Sequence, residues 1–214
     1  MIGKLLFLFC LSSLIYGCRP QKTVTLWKTP KTILPSQKKI VVVGIIKDSN
    51  DSMRIELEDG LVKNLQSLGY YATSSFREFG KKGLSDLSQE ATFIKLCNNG
   101  VDAVLTIALL DKLKQEENNP GRFSQNTNYH YYNRIWNYRN MQADLTENKP
   151  DSGTFFLGEG ILFDLRTLEP LHVVQTRPIQ PGNKNIPAYL YPILNKMKKE
   201  KILVKQNNKA LKSF

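Results

Sequence analysis

Apolar and polar positions along this chain switch between two periods. Lys38-Lys39-Ile40-Val41-Val42-Val43-Gly44-Ile45-Ile46 is a β-branched run with a polar start, the pattern of a strand buried on both faces. Asp48-Ser49-Asn50-Asp51-Ser52 follows, rich in side chains that cap a helix start. Leu57, Leu61, Leu65 and Leu68 then recur at helical spacing until Gly69 stops the helix. Tyr70 to Ser74 predicts a short second strand. After a loop with Gly80 and Gly83, a helix is expected from about Ser85 to Asn98, with Leu87, Ala91, Ile94 and Cys97 on one face. Asn99-Gly100 ends it, and Val101 to Leu110 is another apolar strand.

The second half reads differently. Thr154 to Phe163 and Leu171 to Thr176 predict two strands, and Asp164 to Pro170 is short enough to join them as an antiparallel hairpin. A last helix starts near Ile186 or Pro192, with Leu190, Leu194 and Met197 as its apolar stripe; Pro192 either opens or kinks it. The fold class is therefore α/β. Parallel strands from a β-α-β-α-β unit, joined by right-handed crossovers, precede an antiparallel hairpin and a C-terminal helix in a two- or three-layer sandwich.

The amino-terminal run has another purpose. Lys4 precedes an apolar stretch from Leu5 to Ile15, too short to cross a bilayer of ~30 Å as a helix. It closes with Leu14-Ile15-Tyr16-Gly17-Cys18, which looks like a bacterial lipoprotein signal: an aliphatic residue three before the cysteine, a small one beside it, and Cys18 as the acylated residue. An ordinary secretory signal is the alternative. Residues 1–17 are thus the expected signal peptide and 18–37, with Pro20, Pro30 and Pro35, a tether. Residues 38–203 form one α/β domain, and 204–214 a basic tail.

Chemistry is sparse. With Cys10 lost and Cys18 acylated, Cys97 is the one thiol left, read as a buried helical residue. His130 and His172 lack a second ligand at metal spacing, and Gly44 stands without a glycine-rich phosphate motif, so no metal or cofactor is expected. Asp164 and Arg166 read as a turn pair. Strand ends in a parallel sheet are where ligands bind, which makes Asp48, Ser74 and Asp111 a candidate ligand pocket; helix capping and solvation are the alternative for the same residues.

The least ordinary segment is 111–153, a long connection between two strands. It carries Tyr129, Tyr131, Tyr132, Arg134, Trp136 and Tyr138, the mixture of flat rings and guanidinium that binding hot spots use. Cover for a sheet edge is the alternative. Net charge is +11, or +10 once Lys4 leaves with the signal. On an exported chain this balance points to anionic lipid or cell-wall polymer rather than to nucleic acid.

Several of these stretches resemble a group of uncharacterised bacterial lipoproteins: Ile40 to Gly44, Arg54 and Glu56, Leu65 to Gly69 before Tyr70, Asp102 to Leu105, Pro120-Gly121, and Leu162-Phe163-Asp164. The architecture is similar to the small domains of lipoproteins that activate penicillin-binding proteins and of the curli-secretion lipoprotein. The resemblance implies action by contact, with no catalytic residue. The expected protein is a membrane-anchored envelope lipoprotein, at the outer membrane and facing the periplasm, that binds a protein or glycan. A small-ligand or hydrolytic domain using Asp48, Ser74 and Asp111 is the competing reading.

Overall fold

The computed structural model describes residues 23–30, 38–46, 51–82, 84, 87–111, 155–179 and 185–206. Their elements run β1 (Thr23–Lys28), β2 (Lys39–Ile45), α1 (Ser52–Ser67), β3 (Tyr71–Ser74), α2 (Ser75–Phe79), α3 (Gln89–Asn98), β4 (Ala103–Asp111), β5 (Phe156–Asp164), β6 (Glu169–Thr176) and α4 (Ile186–Lys199). The six strands form one mixed sheet in the order β1-β6-β5-β4-β2-β3. β2 lies parallel to β3 and β4, and β4, β5, β6 and β1 pair antiparallel in turn. This is the expected α/β arrangement of parallel unit plus hairpin.

One face of the sheet packs on α1 and α4. Ile40, Val42, Leu105 and Ile107 meet Leu57, Leu61 and Leu65 from α1 and Leu190, Ile193 and Met197 from α4. α3 sits on the other face, where Leu96 and Phe93 join Val41 and Val104. Close approach of α4 depends on two glycines of β5: a Cβ at Gly158 would run into Leu190, and one at Gly160 into Ile193.

Four expectations need correction. The stretch 18–37 is not wholly a tether, because Thr23–Lys28 pairs along β6, from Thr23 opposite Thr176 to Lys28 opposite His172. The prolines that suggested a linker flank this strand rather than interrupt it. α3 begins after Ser88, whose hydroxyl accepts from the Ala91 N–H at 3.2 Å, not at Ser85. Its buried face holds Thr92 and Leu96, leaving Ile94 and Cys97 exposed; bulky Phe93 and Leu96 fit the valines of β2 and β4, which turns the expected stripe outward. Finally, the tail does not begin at 204. The Val204 N–H donates to the Tyr70 hydroxyl at 3.2 Å, and the Gln206 N–H to the Leu68 carbonyl at 2.7 Å.

α4 starts at Ile186 under an Asn185 cap, with Pro187 in its first turn, and runs through Pro192 to Lys199. Of the two expected starts the one at Ile186 holds, and Pro192 lies inside the helix instead of opening it.

Candidate functional site

The three residues of the expected ligand pocket part company. Asp48 lies outside the described residues. Ser74 ends β3 opposite Val42, which in turn pairs with Leu105. Asp111 is six residues farther along β4, so about 20 Å separates the two along the strand direction. Ser74 is buried and committed: its hydroxyl donates to Glu58 Oε2 at 2.6 Å and accepts from the Arg77 N–H at 3.3 Å, capping α2.

Glu58 is the group around which this end of the sheet is organised. It is fully buried on α1. Oε1 accepts from the Gly44 N–H at 2.8 Å, Ser75 Oγ at 2.8 Å and Arg54 Nε at 3.1 Å. Oε2 accepts from Ser74 Oγ at 2.6 Å and the Phe76 N–H at 2.8 Å. Arg54, one turn earlier, also donates to Ser75 Oγ at 3.1 Å and the Lys81 carbonyl at 3.3 Å, and lies 5.6 Å from the Phe76 ring centroid. Gly44 permits this approach, since a Cβ there would come within 3.3 Å of Glu58 Cγ. A buried carboxylate costs several kcal/mol unless its lone pairs are met. Five donors meet them here, and the carboxylate joins β2, α1 and the β3–α2 junction as a brace.

Sequence reasoning passed over Glu58. Beside Arg54 it resembles a solvated i,i+4 pair. The available signal was its phase, three residues before Leu61 on the buried stripe.

A second polar cluster lies where β1, β6 and the end of α4 meet. His172 is fully buried, with Nε2 2.7 Å from Glu200 Oε2. Glu200 also accepts from Thr25 Oγ1 at 2.7 Å and pairs with Lys196 Nζ at 2.8 Å, while its backbone carbonyl accepts from Lys28 Nζ at 2.8 Å. Burial opposes the charged carboxylate, yet hydrogen bonds from Lys196, Thr25 and His172 outweigh it and hold Glu200 at about 2. Burial likewise lowers His172, against the pull of Glu200. A neutral imidazole donating from Nε2 fits both directions, with Nδ1 buried and unpartnered. Among the described residues no group of His, Cys, Asp and Glu is assembled to hold a metal. This cluster ties an edge strand to a helix end.

Asp164, expected to pair with Arg166, takes Lys38 as its nearer partner at 2.7 Å; the Arg166 guanidinium stands at 3.9 Å. Cys18, His130 and the aromatic set Tyr129, Tyr131, Tyr132, Arg134, Trp136 and Tyr138 lie outside the described residues. The chain enters and leaves that segment at one place, because Asp111 and Phe156 are ladder partners, and Phe156 is also bridged to Ile179.

No family model matches this sequence, and no curated protein matches it. Among solved structures, the chain is similar to the PelC dodecamer from Paraburkholderia phytofirmans, at 11% identity over 87% of this chain and 100% of that one, with a TM-score of 0.44. It is also similar to lipoprotein GNA1162 from Neisseria meningitidis, at 15% identity over 78% and 96%, with a TM-score of 0.37.

Proposed function

We propose that this chain is a lipid-anchored envelope lipoprotein whose domain acts by contact and not by catalysis. The anchor is Cys18, and the site is the outer membrane on its periplasmic side. The partner is an envelope protein or a cell-wall glycan, met by Tyr129, Tyr131, Tyr132, Arg134, Trp136 and Tyr138. The observation that carries this reading is the closed ladder pair Asp111–Phe156, which mounts the aromatic segment on the central strands β4 and β5. A segment held at both ends by the core presents its rings at less ordering cost than a free tail does.

The competing reading, a hydrolytic or small-ligand pocket, loses support because Ser74 is consumed as a cap and lies far from Asp111. Cross-linking of the acylated protein in its own envelope tests the proposal. Replacing Tyr131, Tyr132 and Trp136 by Ala should abolish the cross-linked partner while leaving the unfolding midpoint unchanged. Identical cross-links from the triple variant would overturn it.

A further inference from the structure

β1 changes the length of the leash. Only residues 19–22 separate Cys18 from Thr23, the first residue of β1. Five Cα steps reach at most ~18 Å, so an acylated Cys18 keeps this edge of the sheet close to the bilayer. β1 is one of the two edge strands, and the carboxyl end of α4 runs beside it: Thr25 Oγ1 and Lys28 Nζ both donate to Glu200. That end of the molecule is basic. Lys196, Lys198 and Lys199 occupy the last turn of α4, Lys201 follows, and Lys28 closes β1. Lys28, Lys199 and Lys201 are exposed. The acid among them, Glu200, is drawn inward by His172 and Thr25, so its charge is spent within the fold.

From this juxtaposition we infer that the β1 edge and the carboxyl end of α4 form a docking surface for anionic lipid headgroups, with Lys28, Lys199 and Lys201 against the membrane. The inference rests on the reading of Cys18 as the anchor. The short leash keeps the lysines close to the surface, where a juxtamembrane basic residue gains roughly five-fold in binding. The domain is then held edge-on, and its far edge, β3, faces away from the membrane.

Amine-reactive footprinting of the full acylated chain tests this. The protein is reconstituted in phosphatidylcholine vesicles with and without phosphatidylglycerol, and lysine labelling is read by mass spectrometry. Labelling of Lys28, Lys199 and Lys201 should fall by roughly five-fold on anionic vesicles and return at ~1 M salt, where the screening length is about 3 Å. Lys81, which pairs with Asp51, should label equally on both. Equal labelling of the three lysines on vesicles that still carry the protein would overturn the docking surface and leave the anchor standing. An unacylated amino-terminal peptide, with no flotation on either vesicle, would overturn the anchor and the inference together. Protection by isolated cell-wall sacculi but not by vesicles would overturn lipid as the partner.

Discussion

Two buried ionisable side chains do different work. Glu58 is matched by donors on every side, which makes it a structural charge. His172 has one partner, and its proton balance sets how the fold responds to acid. Its folded pKa lies below the ordinary 6.5, so the unfolded chain takes up a proton that the folded chain refuses. That contribution is complete above about 6.5 and is lost as pH falls below it. Glu200, held at about 2 against an ordinary 4.5, contributes in full above about 4.5 and loses its share between there and about 2. Asp59, lowered by Arg77, and Asp164, where burial is outweighed by Lys38 and Arg166 together, add to that second stage. Lys28 and Lys196 face the same cluster and add to the lowering of His172. The urea midpoint should therefore fall in two stages on acidification, the first beginning near the ordinary histidine value. His172→Gln should remove the first stage and keep the second. A midpoint that is flat from neutrality to about pH 5 in the parent protein would refute the assignment.

At the scale of elements, three helices end alike. α1 closes with Gly69 at φ 90, its N–H donating to the Gln66 carbonyl, and Tyr70 donating to Leu65. α3 repeats this with Gly100 at φ 65 and Val101. α4 makes the same pair of bonds, Lys201 to Lys198 and Ile202 to Met197, but with lysine at φ 60. The two glycines were legible as stops because the residue type is selected by the backbone. The third stop was hidden, since a lysine in a basic run announces nothing. A left-handed non-glycine residue costs about 1–2 kcal/mol, while glycine costs more to order. Lys201→Gly should accordingly raise stability by about 0.5–1 kcal/mol, read as a higher denaturant midpoint at unchanged slope. A lower midpoint would mean that the lysine stem, and not the backbone, decides this position. Strands β2, β4 and β5 were legible for the opposite reason: they are central and largely buried on both faces, so their residues are mostly apolar, with Thr106 and Glu159 as buried exceptions. α3 was misphased because a phase error of one residue, about 100° around the helix, exchanges Ile94 for Phe93, and both are apolar.

For the molecule as a whole, β1 is the element whose misreading matters most. Thr23-Val24-Thr25-Leu26-Trp27-Lys28 is β-branched and aromatic enough for a strand, but prolines on both sides and the absence of a long apolar run made it look like linker. Its place at an edge explains this, because only part of an edge strand is covered. What it contributes is visible in its contacts. Leu26 and Trp27 pack on the cluster of Ala108, Leu110, Ile161, Phe163 and Val173, and the Trp27 indole donates to the Pro170 carbonyl at 3.2 Å. Pro170 lacks an N–H, and the β5–β6 register slips beside it between Leu162 and Phe163, so β1 covers the irregular strand. Two versions of the domain separate strand from tether: one beginning at residue 19, the other at residue 38. If 18–37 only tethered, both would unfold at the same denaturant concentration. With β1 as a strand, the shorter form loses the ladder to β6 and part of the burial of Leu26 and Trp27, at about 2–4 kcal/mol. It also leaves β6 as a bare, largely apolar edge, which invites pairing with a second copy. Urea unfolding should place the shorter form well below the longer one, and light scattering should show concentration-dependent association in the shorter form alone. Equal midpoints and two monomers would return residues 23–28 to the tether and, with them, remove the short leash from which edge-on docking follows.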